Sequence, residues 1–361
     1  MAHVSDEDEF YTRENLLSAP VEQLDPTEVD TVAELLEGMA GMSFQARSLG
    51  QCLRVWQRAL EDGERPTVIL GVAGSLIAGG MRRVMSRLVE HGLVDVVVSA
   101  GSQPYQDLYQ ARGEDYDHWR ATPEMDDIEL RELELDRLYD TLVDERRFAD
   151  TDQLLGSIVG ELDPGRYTTR QLYDHLGARF DDDESLVVQA HRTGTPIFCP
   201  ALNDSSLGIG MVQDLLEARE EGREVPTLDP ILDHYELAQI TGASEKTMVI
   251  YVAGGTPKNY IQQTQPINHY LGNDVGGHDY AIQITADAPH WGGLSGCTLE
   301  EGQSWGKIAA EATRATAYCD ATIGLTMLAT ALFQQPELWE DRGRLSFDFE
   351  DNELTLEREA A

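Results

Sequence analysis

From residue 29 to about residue 61 apolar side chains recur at helical spacing, through Leu35, Leu36, Met39, Met42, Phe44, Leu49, Leu53, Val55, Trp56 and Leu60. The spacing predicts two helices with a break near Gly38 and Gly41. At residue 66 the period changes. Residues 66–72 form a short apolar run closed by Ala73, Gly74 and Ser75, a helical pattern follows through Met81, Met85, Leu88 and Val89, and residues 93–98 form a second apolar run. That run ends in Ser99, Ala100, Gly101 and Ser102. Strand, small-residue turn, helix and strand predict an α/β fold with a mostly parallel sheet and crossover helices. Residues 186–190 and 195–199 read as further strands, followed by a polar loop over 200–206. Residues 248–252, the turn Ala253-Gly254-Gly255-Thr256, and residues 280–284 and 316–319 complete the predicted sheet.

Other stretches are polar. Residues 114–154 are densely charged, with helical spacing over 128–142 and few core positions, which predicts an exposed helical excursion. An acidic N-terminal arm over 1–28, with Pro20 and Pro26, and an acidic tail over 337–361 flank one domain of residues 29–336.

Charge narrows the range of partners. The 65 acidic residues outnumber the 27 basic ones, for a net charge of −38. A chain this acidic lacks the cationic footprint that phosphate backbones or anionic membranes require. The acids are spread along the chain, as in proteins of high-salt cytoplasm, and read as a solvation device. Cys52, Cys199, Cys297 and Cys319 show no close pairing and no metal-ligand spacing, which predicts reduced thiols in a cytoplasmic protein and no metal site. No apolar run reaches membrane-spanning length.

Candidate chemistry centres on the stretch from Ser295 to Ile308, where Lys307 follows Trp305 and Gly306, with Glu300 and Glu301 upstream. A lysine shielded from water loses its proton more readily and becomes a nucleophile that forms imines. The alternative is a solvated lysine beside an amphipathic helix. Several strands end in Gly/Ser turns, and such turns let backbone N–H groups approach a pyrophosphate at a helix N-terminus. None of them is Gly-x-Gly-x-x-Gly, and glycine also serves tight connections. Asp204 and Asp320, each at a strand end, could accept ribose hydroxyls or cap helices.

Ser304-Trp305-Gly306-Lys307-Ile308, the loop from Pro200 to Gly208, the run from Val94 to Gly101 and Tyr318-Cys319-Asp320-Ala321, in this order, resemble deoxyhypusine synthase over residues 44–332. The resemblance implies a Rossmann-like NAD-binding fold and a homotetramer with active sites between subunits. It also implies aminobutyl transfer from spermidine, through an imine on an enzyme lysine, to a lysine of the hypusine-bearing translation factor. Lys307 matches that lysine. Ser99, Ala100, Gly101, Asp204, Gly254, Gly255, Ser295, Cys319 and Asp320 match the cofactor side, with Gly74 and Ser75 where the family usually has Ser-Asn. Trp305 matches a residue that covers the amine chain, and Glu301 one that holds an ammonium.

The amine side departs from the pattern. Ile209 and Leu294 stand where the family has acids, Asn259 stands for a histidine, Gln106 or Tyr105 for a glutamate, and Gln283 for a tyrosine. Two carboxylates exchanged for apolar groups leave a terminal ammonium poorly compensated. One reading therefore changes the donor to agmatine, whose planar guanidinium could use the amide oxygens of Gln106, Asn259 or Gln283 and the face of Trp291 or Trp305. A second is transfer to a small diamine, as in homospermidine synthases. A third is an NAD-binding regulator without chemistry. His278 and His290 are candidates for a substitute base, or ordinary structural histidines.

Overall fold

The computed structural model describes residues 12–273 and 275–358. Six strands, β1 (Thr67–Val72), β2 (Val96–Ser99), β3 (Ile197–Phe198), β4 (Thr247–Val252), β5 (His278–Thr285) and β6 (Ile308–Tyr318), build one sheet in the order β6-β5-β4-β1-β2-β3. Every pairing in it is parallel. This is the order of a doubly wound sheet, in which successive strands are added outward in one direction and then, from β4, in the other.

Period-2 alternation along β1 explains the two cores. Val68, Leu70 and Val72 face one apolar cluster with Trp56, Met85 and Leu325, while Ile69 faces another with Val98, Tyr251 and Ile261. Both faces of the strand are buried, so it reads as an unbroken apolar run. Gly71 has a packing reason, since a Cβ there would sit 2.8 Å from Ile261 Cδ1.

The helices that matter for the site are α1 (Val32–Gly41), α2 (Phe44–Glu61), α3 (Arg82–Glu90), α4 (Ser102–Gln110), α5 (Glu145–Gly160), α6 (Thr169–Gly177), α7 (Leu186–Thr193), α8 (Ser206–Glu221), α9 (Pro230–Ala243), α10 (Gly255–Leu271), α11 (Leu299–Ser304) and α12 (Ala321–Phe333). The expected break after Gly41 is present, and Thr31 with Glu34 forms a capping box at the start of α1. Among the described residues no helix is long and apolar enough to cross a membrane.

Three expectations are corrected. Residues 186–190 are helical, in α7. The buried Asp107 carboxylate accepts the N–H groups of Leu186 and Val187, Ser185 Oγ accepts from Val188, and Gly194 ends the helix in the left-handed region. A five-residue apolar run carries no period that distinguishes the two states. Second, the charged excursion is only partly helical: Trp119–Arg120, Thr141–Asp144 and Leu135–Leu138 form a small antiparallel sheet, and α5 buries Leu155, Ile158 and Val159. Third, much of the acidic tail is ordered, with Leu345–Glu350 and Glu353–Arg358 paired as a hairpin. Residues 1–11 of the N-terminal arm and 359–361 of the tail lie outside the described residues.

A buried ion cluster joins that tail to the amino edge of the sheet. Arg65 makes a bidentate pair with Asp95 (2.6 and 2.8 Å), and Arg342 approaches the same carboxylate at 3.5 Å. Arg342 also donates to the carbonyls of Pro66 and Gly92, and Asp95 accepts the Val68 N–H. Burial pushes the Arg342 guanidinium down to about 10, against the pull of Asp95. Removing the shared anion leaves two buried cations facing each other, so Asp95→Ala is expected to cost about 3–5 kcal/mol in urea unfolding. Arg342→Met, which leaves the bidentate pair intact, should cost clearly less; equal losses would show that the three groups do not act as one cluster.

Candidate active site

The tryptophan, glycine and lysine of the C-terminal stretch sit on a helix cap. Thr298 opens α11 by accepting the Glu301 N–H at 3.1 Å. At its other end the Gly306 N–H bonds Gln303 O (2.9 Å) and the Lys307 N–H bonds Gly302 O (3.0 Å). This is the Schellman arrangement, which needs a left-handed residue at its turn, and Gly306 has φ +66°. The cap leaves Trp305 70% exposed and turns Lys307, half-buried, onto the first residue of β6. Lys307 Nζ lies 5.6 Å from the Trp305 ring centroid and 3.5 Å from Asn259 Oδ1. Asn259 is four residues into α10, about 6 Å along its axis. The lysine therefore points toward the N-terminus of α10.

That N-terminus follows β4, at the point where the strand order reverses. Ala253, left-handed at φ +64°, and the Gly254-Gly255 pair make the turn. A Cβ on Gly254 would lie 2.7 Å from Ala73 Cβ, and one on Gly255 would lie 2.5 Å from Leu294 Cβ and 2.8 Å from the Ser295 N. Gly101, after β2, would meet Ser205 Cβ at 2.5 Å. Gly74, at φ +86°, has its carbonyl held by Ser102 Oγ and Gln103 Nε2. The turns after β1, β2 and β4 thus pack on one another through glycine and small side chains, leaving backbone N–H groups and a helix N-terminus at the edge. These features fit a dinucleotide.

The remaining cofactor-side residues take varied positions. Ser99 is buried at the end of β2, with Ala100 next to it bonded to Val72. Ser75 is half-buried beside Gly74, and Asp204 is exposed in the loop after β3. Asp320 caps α12 through Thr322 N at 2.9 Å, and Cys319 precedes it, half-buried. The Thr322 hydroxyl and N–H hold the Asp320 carboxyl below its ordinary range. Ser295 Oγ donates to Asp287.

On the amine side all three candidate amide oxygens have an internal partner, Asn259 Oδ1 at the longest distance, 3.5 Å from Lys307 Nζ. Gln106 Oε1 accepts the Ala78 N–H at 3.2 Å. Gln283 Oε1 accepts from Lys258 Nζ at 2.6 Å, and the same ammonium donates to the Cys297 carbonyl. Lys258 is a candidate site residue that carries no motif in the sequence. It is 2% exposed, 5.8 Å from the Tyr251 ring centroid, and burial lowers it to about 8 against the fields of Cys297 and Glu301. Glu301 itself is exposed on α11. His278 is buried at the start of β5, with Nδ1 2.8 Å from Thr247 Oγ1, and burial pushes it down to about 3, so it is a structural neutral ring. His290 is exposed against Trp291.

The Gly306 turn can be tested by substitution. Open space surrounds a Cβ there, so Gly306→Ala meets only backbone strain, about 1–2 kcal/mol. Urea unfolding should show that loss for alanine and a smaller one for Gly306→Asn, since Asn tolerates the left-handed region. Equal costs for both would argue against a required left-handed cap.

Comparison with known proteins agrees with this layout. The deoxyhypusine synthase family model matches residues 34–332. The "Probable deoxyhypusine synthase 2" of Methanosarcina acetivorans is 41% identical over 309 residues, covering 84% of this chain and 87% of that protein. A "Deoxyhypusine synthase-like protein" of Coxiella burnetii is 36% identical over 336 residues, covering 91% and 93%. A crystal structure assigned as a deoxyhypusine synthase from Entamoeba histolytica superposes with TM-score 0.56 at 18% identity, over 87% of this chain and 97% of that one, and shares the fold. The chain belongs to the deoxyhypusine synthase family of transferases.

Proposed function

We propose that in the cytoplasm the protein moves the aminobutyl group of a polyamine, spermidine, to a lysine of the hypusine-bearing translation factor. The observation that carries this reading is Lys307, turned by the Gly306 cap between the Trp305 ring and Asn259 Oδ1. NAD, held by the turns at Gly74, Ser99 to Gly101 and Gly254-Gly255, with Asp204 on its ribose, would supply hydride acceptance and return. Lys307 Nζ attacks the oxidised donor carbon, displaces the leaving diamine, and holds the four-carbon unit as an imine until the acceptor lysine takes it. The exposed face of Trp305 covers the alkyl chain and Glu301 meets its ammonium.

We place the working site in a homotetramer. Ile209, Val212 and Leu216 recur at i, i+3 and i+7 on α8 and are 54%, 55% and 56% exposed, an apolar stripe that a second subunit would bury. The acidic surface favours a basic acceptor loop, less so at high salt.

Agmatine is the second reading, favoured by the apolar wall at Leu294 (48% exposed) and Trp291 (75% exposed), where a weakly hydrated guanidinium would rest. Gln106 and Gln283 are engaged by the Ala78 N–H and Lys258, and Asn259 Oδ1 by Lys307 at the longer 3.5 Å, so Asn259 is the named amide a guanidinium would displace most readily. The test is incubation of the protein in high salt with NAD, the translation factor and either amine, followed by mass analysis of the factor. The expected result is an aminobutyl increment from spermidine, abolished by Lys307→Ala. A guanidinobutyl increment would transfer the assignment to agmatine, and no increment with either amine would remove transfer to the translation factor as the activity.

A further inference from the structure

We propose that Lys258 is the proton-transfer group of this site, the amine that takes a proton from the bound donor and later returns it. The inference rests on the reading above, and deepens it. Its first ground is compositional. Three of the 27 basic side chains are lysines, Lys246, Lys258 and Lys307, and the other 24 are arginines. Arginine stays charged at any working pH, whereas lysine can release its proton. Lys246 pairs with Asp62 at 2.8 Å, half-exposed. The other two lysines both belong to the candidate site.

Geometry supplies the second ground. Among the described residues two acceptors reach Lys258 Nζ, Gln283 Oε1 and the Cys297 carbonyl. An ammonium has three donors, so its third N–H is left over in this closed setting. A neutral amine has two donors and one lone pair, which the two acceptors match, leaving the lone pair as the third direction. No carboxylate pairs with this side chain among the described salt bridges, and a buried unpaired cation is costly. The same helix carries Asn259 at the next position, in contact with Lys307 Nζ. The Cys297 thiol lies in the fields of both lysines, so both amines are near one residue. Asn259, the residue that meets Lys307, is an amide that cannot exchange a proton, and Lys258 is its neighbour.

The groups facing Lys258 are few. Cys297 comes from the loop before α11, Glu301 from α11, Tyr251 from β4, and Gln283, which is uncharged, from β5. Burial outweighs the thiol and carboxylate fields, which is why the amine lies near 8.

The step balances as follows. The protonated donor amine transfers one N–H proton to neutral Lys258 Nζ, giving an ammonium and a free donor amine. Only the free amine has the lone pair that helps its carbon give up hydride, which bound NAD would supply the means to accept. After the four-carbon unit is reduced on the acceptor lysine, the Lys258 ammonium returns the proton to the new secondary amine.

Three lysines in the whole chain make a direct test practical. In protein carrying ¹³C-labelled lysine, three ε-carbon signals are followed against pH without cofactor or donor. One is expected to titrate near 8 and to vanish in Lys258→Arg; a Lys258 signal that titrates at the ordinary lysine value would overturn the proposal, whether or not the transfer reaction has been detected. In parallel, cofactor reduction is followed with donor alone. Lys258→Arg and Lys258→Gln should each slow it on the order of 100-fold and erase the rise in rate around pH 8, with NAD affinity and unfolding midpoint retained. In Lys258→Ala, added methylamine should restore part of the rate. Wild-type rate and pH profile in Lys258→Arg would sink the idea, since arginine keeps the charge and cannot move the proton. Failure of the mass assay with a Lys258 signal near 8 would overturn the transfer reading and leave the titration standing.

Discussion

The reversal of strand order between β1 and β4 is the constraint on which the site depends. Strands β1 to β3 are added outward on one side of that line and β4 to β6 on the other, so the turns after β1 and β4 leave in opposite directions. The gap between them can be narrow only if both turns are made of small residues. Ala73 and Gly254 meet that need, since one added carbon on Gly254 would fall within 2.7 Å of Ala73 Cβ. The N-terminus of α10 then sits at the gap, and the candidate catalytic groups are placed relative to that helix. Asn259 and Lys258 are on it, and Lys307 reaches it from β6.

Much of this was legible in the sequence because the relevant residues are local signals. Apolar runs at 66–72, 93–98 and 248–252 are buried on both faces, and each ends in small residues at the carboxyl edge of the sheet, where the turns pack closely. Trp305-Gly306-Lys307 is equally local, a helix cap written in three letters. The misread segments depend on distant groups. Residues 186–190 became helical because Asp107, far away in sequence, takes the first N–H groups of α7. The tail became a hairpin anchored by Arg342 to Asp95 and by the Phe349 ring beneath the Arg170 guanidinium, 4.1 Å away. Neither partner can be read from the segment itself.

Lys258 shows a different limit. Nothing in Thr256-Pro257-Lys258-Asn259 is a motif of general chemistry, and the position is informative only against the composition of the whole chain. Where 24 of 27 basic residues are arginine, a lysine marks a place where permanent charge is unwelcome or a smaller head is required. For Lys246, half-exposed and paired with Asp62, no such demand is visible. At Lys258 the surroundings supply it, with an aromatic ring, an amide and a carbonyl around a buried nitrogen that makes no ion pair among the described residues.

The engagement of Gln283 by Lys258 also bears on donor choice. A buried amide oxygen that already accepts from an internal amine is a poor ligand for an external guanidinium, because the newcomer must first displace a bond made at 2.6 Å in a dry setting. Once it has taken up a proton, Lys258 also repels a second cation placed close to it. On the proposed reading a polycationic donor would be held best at the end of the site away from Lys258, where Glu301 on α11 and Trp305 at its cap stand exposed. Its reacting amine, not its charged terminus, would then face the buried lysine. The two acids replaced by Ile209 and Leu294 fit that orientation, since a terminus that does not enter the inner pocket needs no carboxylate there.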